Sequence, residues 1–303
     1  MKTSLSLNDY LNRSVLEIEE ALRASIPEEW DIPPKLREAM LYSLEAGGKR
    51  LRPILVLSAA EAVGRAEHAR KLAMPVACAV EMVHTYSLIH DDLPAMDDDD
   101  FRRGKPTNHK IYGEAMAILA GDGLLTHAFF AVTRAVSLGA PPEAVLAIVS
   151  DLARLAGAPG MVGGQAADMQ GEQGVTSLEE LEYIHLHKTS DLLVFSVLAG
   201  ARIGGASSEQ LEALQRFARR LGLAFQIQDD ILDLVGDAAK LGKPVQSDVE
   251  ERKVTYPYLI GMEESEKLVV RLTQEAKQAL AEAKLETPDT LLAIADYLMS
   301  RDH

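Results

Sequence analysis

Apolar residues recur at helical spacing along almost the whole chain, and no stretch alternates with the period of a strand. Between residues 6 and 24, Leu11, Val15, Ile18 and Leu22 fall three and four apart, on one face of a helix. The stretch "PPKLREAMLYSLEAGG" opens on prolines and closes on glycines, the asymmetry of a helix start and stop. "LRPILVLSAAEAVG" follows, then a long helix from about Glu67 to Leu93 with Pro75 as a kink near its start. Further helices are predicted over roughly 113–138, 141–157, 160–171, 177–203, 207–235, 263–283 and 287–300. Segments 117–132 and 193–199 are apolar on more than one face, which predicts buried central helices. Gly and Pro sit at joints such as "LGAPPE" and "IGGASSE", and no Ser/Gly-rich linker divides the chain. With 47% apolar and only 5% aromatic residues, the expectation is one all-α domain over 1–303, a large helical bundle.

Formal charge is −15. So acidic a chain, with no long basic stripe, is not expected to bind nucleic acid. Its single cysteine, Cys78, rules out a disulfide within the chain and points to a reducing compartment. The N-terminus lacks an apolar signal core, and no uninterrupted run approaches 18 apolar residues. No membrane span and a cytoplasmic location are therefore expected.

Two acidic clusters break this apolar pattern. In "LIHDDLPAMDDDDFRRGKPTNHK", Asp91 and Asp92 close an apolar helix and Asp97 to Asp100 follow. Asp97 lies six after Asp91, a poor match for one helix face, unless "LPAM" loops it back. Asp98 to Asp100 read as loop acids. In "FQIQDDILDLVGD", Asp229 and Asp233 share a helix face with Asp230 beside them. Phe225, Ile227, Ile231, Leu232 and Leu234 interleave with these acids, which argues against a merely solvated face. Partly buried carboxylates at this spacing raise one another's pKa or need cations. Oxygen-only donors suit a hard ion, Mg²⁺ before Zn²⁺. The two segments also echo each other, as if two helices brought similar carboxylates to one cavity.

Basic residues adjoin both clusters. "GGKRLRP" supplies Lys49, Arg50 and Arg52, "RRG" supplies Arg102 and Arg103, "HLHKTSD" supplies Lys188 beside Thr189, and Lys243 and Lys253 lie further on. Arginine suits bidentate phosphate contacts and lysine acts as a point charge. In so acidic a chain, cations beside acid clusters suggest phosphate held from two sides. No phosphate-binding "GK[ST]" loop, dinucleotide fingerprint or Gly-x-Ser-x-Gly elbow is present. His84, His90 and Asp91 could form a histidine–aspartate metal site, but carboxylates outnumber the imidazoles.

"DDLPAMD" followed by "RRG", together with "FQIQDDILD" and a downstream "GK", resembles the trans-prenyltransferases, the short-chain isoprenyl diphosphate synthases. The resemblance runs from "GGKRLRP" to "RKVTYP", and the "LPAM" insert resembles that of bacterial farnesyl and of plant and bacterial geranylgeranyl diphosphate synthases. It implies an all-α bundle around a central cavity, usually a homodimer, working with three Mg²⁺. Asp91, Asp92 and Asp97 would hold Mg²⁺ on an allylic diphosphate, and Asp229, Asp230 and Asp233 a further ion. Arg102, Lys188, Lys243 and Lys253 would contact the allylic diphosphate. Lys49, Arg52, His84 and Arg103 would hold isopentenyl diphosphate. Lys188, Thr189 and Gln226 would lie beside the reacting carbons. "GMVGGQAAD" also matches: Gly163 and Gly164 would allow close helix approach, and Gln165 and Asp168 would face the cavity.

The implied reaction is head-to-tail condensation of isopentenyl diphosphate with dimethylallyl or geranyl diphosphate. The implied chain-length position, five before the first motif, is Tyr86, with Ser87 next to it. An aromatic floor there favours farnesyl diphosphate. Geranylgeranyl diphosphate is the alternative product, and a terpene cyclase or another metal-dependent diphosphate enzyme the alternative class.

Overall fold

A computed structural model of the chain describes residues 6–64, 66–171, 177–235 and 254–300. Helices run in the order α1 (Leu7–Arg23), α2 (Pro34–Leu44), α3 (Leu51–Val63), α4 (Ala66–Asp91), α5 (Asn108–Tyr112), α6 (Glu114–Ser137), α7 (Pro142–Ala156) and α8 (Met161–Gly171). They continue as α9 (Leu178–Ile184), α10 (Asp191–Gly204), α11 (Ser208–Val235), α12 (Tyr256–Ile260), α13 (Met262–Glu282) and α14 (Asp289–Ser300). A fold of this kind follows from the sequence pattern: amphipathic helices can bury their apolar stripes only against one another.

α10 is the axis. Its residues from Asp191 to Ala201 are all buried, and it packs against α3, α4, α7 and α11. The main core draws on α1 to α4, α6, α7, α10, α11 and the last helices. A second cluster, including Leu181, Leu223, Ile227, Ile231 and Tyr256, joins α9, α11, α12 and α13. Met299 packs against both clusters and ties them into one unit.

Pro75 stands inside α4, in its first half, as expected. Three features differ from the sequence expectation. The predicted helix over 177–203 is broken: a π-helical turn, His185–Ser190, separates α9 from α10. A short antiparallel hairpin, β1 (Phe101–Arg102) and β2 (Lys105–Pro106), follows the first acid cluster. Two-residue strands are too short to show alternation, but Arg103 and Gly104 both have positive φ, as a two-residue hairpin turn requires. Finally, the segment 117–132 is not buried all round, because Ile118 and Leu119 on α6 remain 43% and 51% exposed.

The expectation that nothing in the chain could cross a bilayer also needs correction. Segments Glu67–Asp91, Glu114–Ser137 and Pro142–Gly171 are long and apolar enough by length and composition. Scattered charges interrupt the apolar runs without lowering the average below that of a spanning helix. In the folded chain 72% of the α4 window is buried against other helices.

Candidate active site

α4 delivers the first acid cluster at its C-terminal end. The chain then turns tightly: the Asp97 N–H donates to the Asp91 carbonyl at 2.9 Å, and the Met96 N–H to that of Leu93 at 2.8 Å. "LPAM" therefore folds Asp97 back over Asp91. Burial pushes the Asp91 carboxyl up to about 6, Lys188 opposing and Asp97 reinforcing the shift. Burial does the same to Asp92, again to about 6, against the pull of Arg102. Arg102 Nε donates to Asp92 Oδ1 at 2.6 Å, and Arg102 Nη2 to Asp99 at 3.1 Å. Asp100 pairs with Lys110 at 2.5 Å. Asp99 and Asp100 are thus held by local partners, while Asp91, Asp92 and Asp97 gather around the end of α4.

α11 delivers the second cluster. Asp229 is half-buried and accepts from the Gln226 amide at 3.3 Å. Asp233 lies one turn on and is buried. Asp230 is buried and already engaged, accepting from His185 Nε2 at 3.0 Å and from the Tyr256 N–H at 2.9 Å.

Between the clusters lies the π-turn. Lys188 Nζ donates to Asp168 of α8 at 2.5 Å. α8 comes very close: a Cβ on Gly164 would stand 2.1 Å from Lys188 N. The two glycines of "GMVGGQAAD" thus differ in role, since a Cβ on Gly163 would meet the Ala158 carbonyl of its own turn at 2.2 Å.

Three cavities follow one another here, and the π-turn lines the second and third. The first, about 650 Å³, is lined by Lys49, Arg52, His84 and Arg103, four basic residues from three separate segments. The second, about 540 Å³, is lined by Asp91, Lys188, Thr189, Gln165 and an apolar wall including Leu93, Met96 and Met161. The third, about 220 Å³, is lined by Asp168, Lys188, Thr189, Gln226, Asp229 and Asp230. Arg52 and His84 line both the first and the second, so they form the partition between them. Lys188 and Thr189 line both the second and the third.

Electrostatics at the partition are unusual. Burial and four nearby arginines, Arg52 foremost, hold His84 well below the usual histidine range, so it is neutral at pH 7. Its Nε2 lies 3.4 Å from Arg52 Nη1. A guanidinium only donates, which assigns Nε2 as acceptor and leaves the proton on Nδ1. Burial lowers Arg52 below the usual arginine range, with Glu81 opposing. Arg103 reaches its cavity from the hairpin turn by crossing Gly48: a Cβ there would meet its guanidinium carbon at 2.7 Å. Its Nη1 donates to the Gly47 carbonyl. Gly47 and Gly48 have φ of 82° and 128°, which gives a physical reason for the "GG" before "KRLRP". Arg50, also in that motif, turns inward and pairs with buried Glu81 at 2.6 Å.

Tyr86 lies on the second cavity, one turn and a half below Asp91, and is 6% exposed. Its ring meets His90 edge-on at 5.7 Å. Ser87 lines the same cavity. His90 is in turn seated in a gap left by Gly121 of α6, where a Cβ would come within 2.2 Å of the ring.

Sequence reasoning did not single out His185, His187 or the π-turn itself; the paired "HLH" in a helical stretch was the available signal. It also missed Asn8, Asn12 and Tyr297, which the two chain ends bring to the first cavity. Lys243 and Lys253 lie outside the described residues.

Among the described residues, no three His, Cys, Asp or Glu side chains form a cage of their own for an ion. That donor set fits Mg²⁺, which takes one or two carboxylates and completes its shell with water and substrate phosphate oxygens.

Comparison with known proteins identifies the family. The chain is 51% identical over 299 residues to a farnesyl diphosphate synthase of Geobacillus stearothermophilus, covering 99% of both. It is 49% identical over 273 residues to a chloroplastic geranylgeranyl pyrophosphate synthase of Catharanthus roseus, covering 89% of this chain and 75% of the relative. A crystal structure of a Helicobacter pylori geranyltransferase, complexed with magnesium and isoprenyl diphosphate, superposes with a TM-score of 0.85 at 31% identity, covering 99% of this chain and 100% of that one. The polyprenyl synthetase pattern matches residues 33–287. The chain belongs to the polyprenyl synthetase family.

Proposed function

We propose that this chain condenses isopentenyl diphosphate with dimethylallyl and then geranyl diphosphate, releasing diphosphate and forming farnesyl diphosphate. The observation that carries the reading is the pair of adjoining cavities that share Arg52 and His84: one has Lys49, Arg50, Arg52 and Arg103 in its lining, the other Asp91 and Lys188 together with an apolar wall.

In this reading Lys49, Arg52, Arg103 and neutral His84 hold isopentenyl diphosphate in the first cavity. Asp91, Asp92 and Asp97 on one side, and Asp229 on the other, hold Mg²⁺, three ions in all. When bound, Mg²⁺ offsets the negative charge that grows on the departing diphosphate. Arg102 and Lys188 add fixed positive charge at the same place. Thr189 and Gln226 turn polar atoms toward the allylic carbons. Leu93, Met96, Met161 and Leu192 keep water from the allylic cation. The isopentenyl double bond attacks that cation, and the proton then lost passes to a phosphate oxygen of the released diphosphate. No protein nucleophile is required, which suits a single buried thiol at Cys78 and a reducing, cytoplasmic setting.

Tyr86 as floor supports a C15 product. Geranylgeranyl diphosphate is the second reading. It is favoured by Ile118 and Val162, which line the cavity and are also exposed, so this chain alone does not close that side. A homodimer would cover that face.

The test is incubation of purified protein with Mg²⁺, isopentenyl diphosphate and each allylic primer from C5 to C15. Farnesyl diphosphate as the main product is expected. A folded protein that elongates no primer, or that yields cyclic hydrocarbon or alcohol, refutes the reading. Asp91→Ala and Asp229→Ala should each abolish most turnover while leaving the fold intact.

A further inference from the structure

Asp229 and Asp230 are neighbours in sequence with different surroundings. Both line the polar cavity, and Asp229 is half-buried there. Asp230 is 6% exposed, and one of its oxygens, Oδ2, accepts from both His185 Nε2 and the Tyr256 N–H. An ionised carboxylate only accepts, so Nε2 carries the proton. The Tyr256 ring covers the His185 ring, with centroids 5.5 Å apart and planes 27° from parallel. One carboxylate oxygen therefore joins three elements: α11, the first residue of the π-turn and the first residue of α12.

The π-turn is gripped on two sides. Gly164 of α8 leaves no room for a Cβ above Lys188 N, and on Gly222 of α11 a Cβ would stand 2.0 Å from Ser190 Oγ. Two close faces limit movement of the turn toward either neighbour but do not by themselves fix it along or about its axis. His185 to Asp230 removes that freedom at one end, and the 2.7 Å bond of His187 Nδ1 to Asp191 does so at the other. Lys188 and Thr189 lie between these two anchors. We infer that Asp230 is a positioning residue rather than an ion ligand: through His185 and the Tyr256 amide it fixes the π-turn, and with it Lys188 and Thr189, against α11. The inference rests on the reading of the site as a diphosphate-condensing one.

A positioning role needs an acceptor oxygen at this point, not a negative charge. Asparagine keeps that oxygen; alanine does not. The test compares Asp230→Asn, Asp230→Ala, His185→Ala, the double variant Asp230→Ala/His185→Ala, and Asp229→Asn. Each is titrated calorimetrically with Mg²⁺ in the presence of inorganic diphosphate, melted in chelator, and assayed with geranyl and isopentenyl diphosphates. Asp230→Asn is expected to keep its Mg²⁺ half-saturation within about threefold of wild type, with Asp229→Asn raising it tenfold or more, on the order of what is lost on removing a metal-site partner. Asp230→Ala and His185→Ala should each lower kcat about a hundredfold by misplacing the turn. The double variant should be no worse than Asp230→Ala, because both remove the same bond. A Mg²⁺ shift in Asp230→Asn as large as in Asp229→Asn overturns the inference, and so do independent losses that multiply in the double variant. Should Asp230→Ala not fold, the asparagine variant still decides. If wild type elongates no primer, the functional reading falls, while the Mg²⁺ titration and melting of Asp230→Asn still decide the positioning role.

Discussion

Replacing Gly164 by alanine adds one methyl group where α8 meets the backbone of the π-turn. Its Cβ would lie 2.1 Å from Lys188 N, 2.6 Å from Lys188 Cα and 2.7 Å from the His187 carbonyl carbon. All three are backbone atoms, so no rotamer change relieves the clash. Bringing the 2.1 Å contact to the 3.4 Å of ordinary packing requires α8 and the π-turn to separate by about 1.3 Å. Overpacking of this kind costs about 1–3 kcal/mol. At ~2–4 °C per kcal/mol for a large domain, Tm should fall by several degrees. The effect on rate should be larger, because the displaced turn carries Lys188 and Thr189. A misplacement near 1 Å costs on the order of a hundredfold, about 2.7 kcal/mol of transition-state stabilisation. Gly123→Ala on α6 is the control: its Cβ would meet only the flexible Met40 side chain, nearest at 3.1 Å. There the gain in helix propensity, up to ~1 kcal/mol, should leave the protein at least as stable. Melting curves and kcat/KM for the two variants check the reasoning. A Gly164→Ala protein within twofold of wild type in kcat/KM and unchanged in Tm would show that the contact yields easily.

Tyr86→Ala should lengthen the main product by at least one isoprene unit, read by chromatography of the dephosphorylated alcohols; an active variant with an unchanged product spectrum would remove Tyr86 as the floor. Cys78 has its thiol pushed up to about 12 by burial, so iodoacetamide at pH 8 should leave the native protein unlabelled and add one group per chain after denaturation. For Asp91 and Asp92 the folded values near 6 lie above the unfolded value near 4, so the folded chain holds these protons more tightly. Stability in chelator should therefore fall as pH rises from 4 to 6. Stabilisation by Mg²⁺ should grow as pH rises through 6, since the carboxylates must lose their protons to bind it. A Mg²⁺-induced rise in Tm that is flat from pH 5 to 7 would contradict this linkage.

Helix placement was legible because each helix buries one stripe, and the stripe is written in residue spacing. Legibility ended where geometry depends on what lies opposite. The residues "YIHLHKTSDLL" keep a helical pattern throughout, yet the chain widens into a π-turn at His185–Ser190. The residues that pack against it, Gly164, Gly222 and Asp230, lie outside the segment, and no local propensity encodes them. For "DDLPAMD", a looped return of Asp97 could be foreseen from Pro94, and the Asp97–Asp91 backbone bond bears it out. Asp229, Asp230 and Asp233 read as equivalent acids on one helix end. Only the partner elements separate half-buried Asp229 from Asp230, whose Oδ2 meets His185 and the Tyr256 amide. α6 shows the same limit from the other side. Its sequence is apolar on two faces, but α4 takes one of them and the face bearing Ile118 and Leu119 stays uncovered in a single chain.

The charge pattern follows the same logic. A chain of net −15 that binds two diphosphates needs cations inside its cavities without leaving its own acids unmatched. Arg102 meets Asp92 and Asp99, and Lys188 meets Asp168, so the two described cations expected to touch the allylic diphosphate already have carboxylate partners. An incoming diphosphate with its Mg²⁺ brings both signs of charge, so phosphate oxygens can take over the arginine and lysine donors while the ions take over the carboxylates. The pairs then exchange partners and none is left bare. A diphosphate arriving alone would have to compete with Asp92 and Asp168 for the same donors. On this reasoning, tight diphosphate binding in this cavity depends on Mg²⁺ arriving with it, quite apart from what the ion contributes to bond breaking.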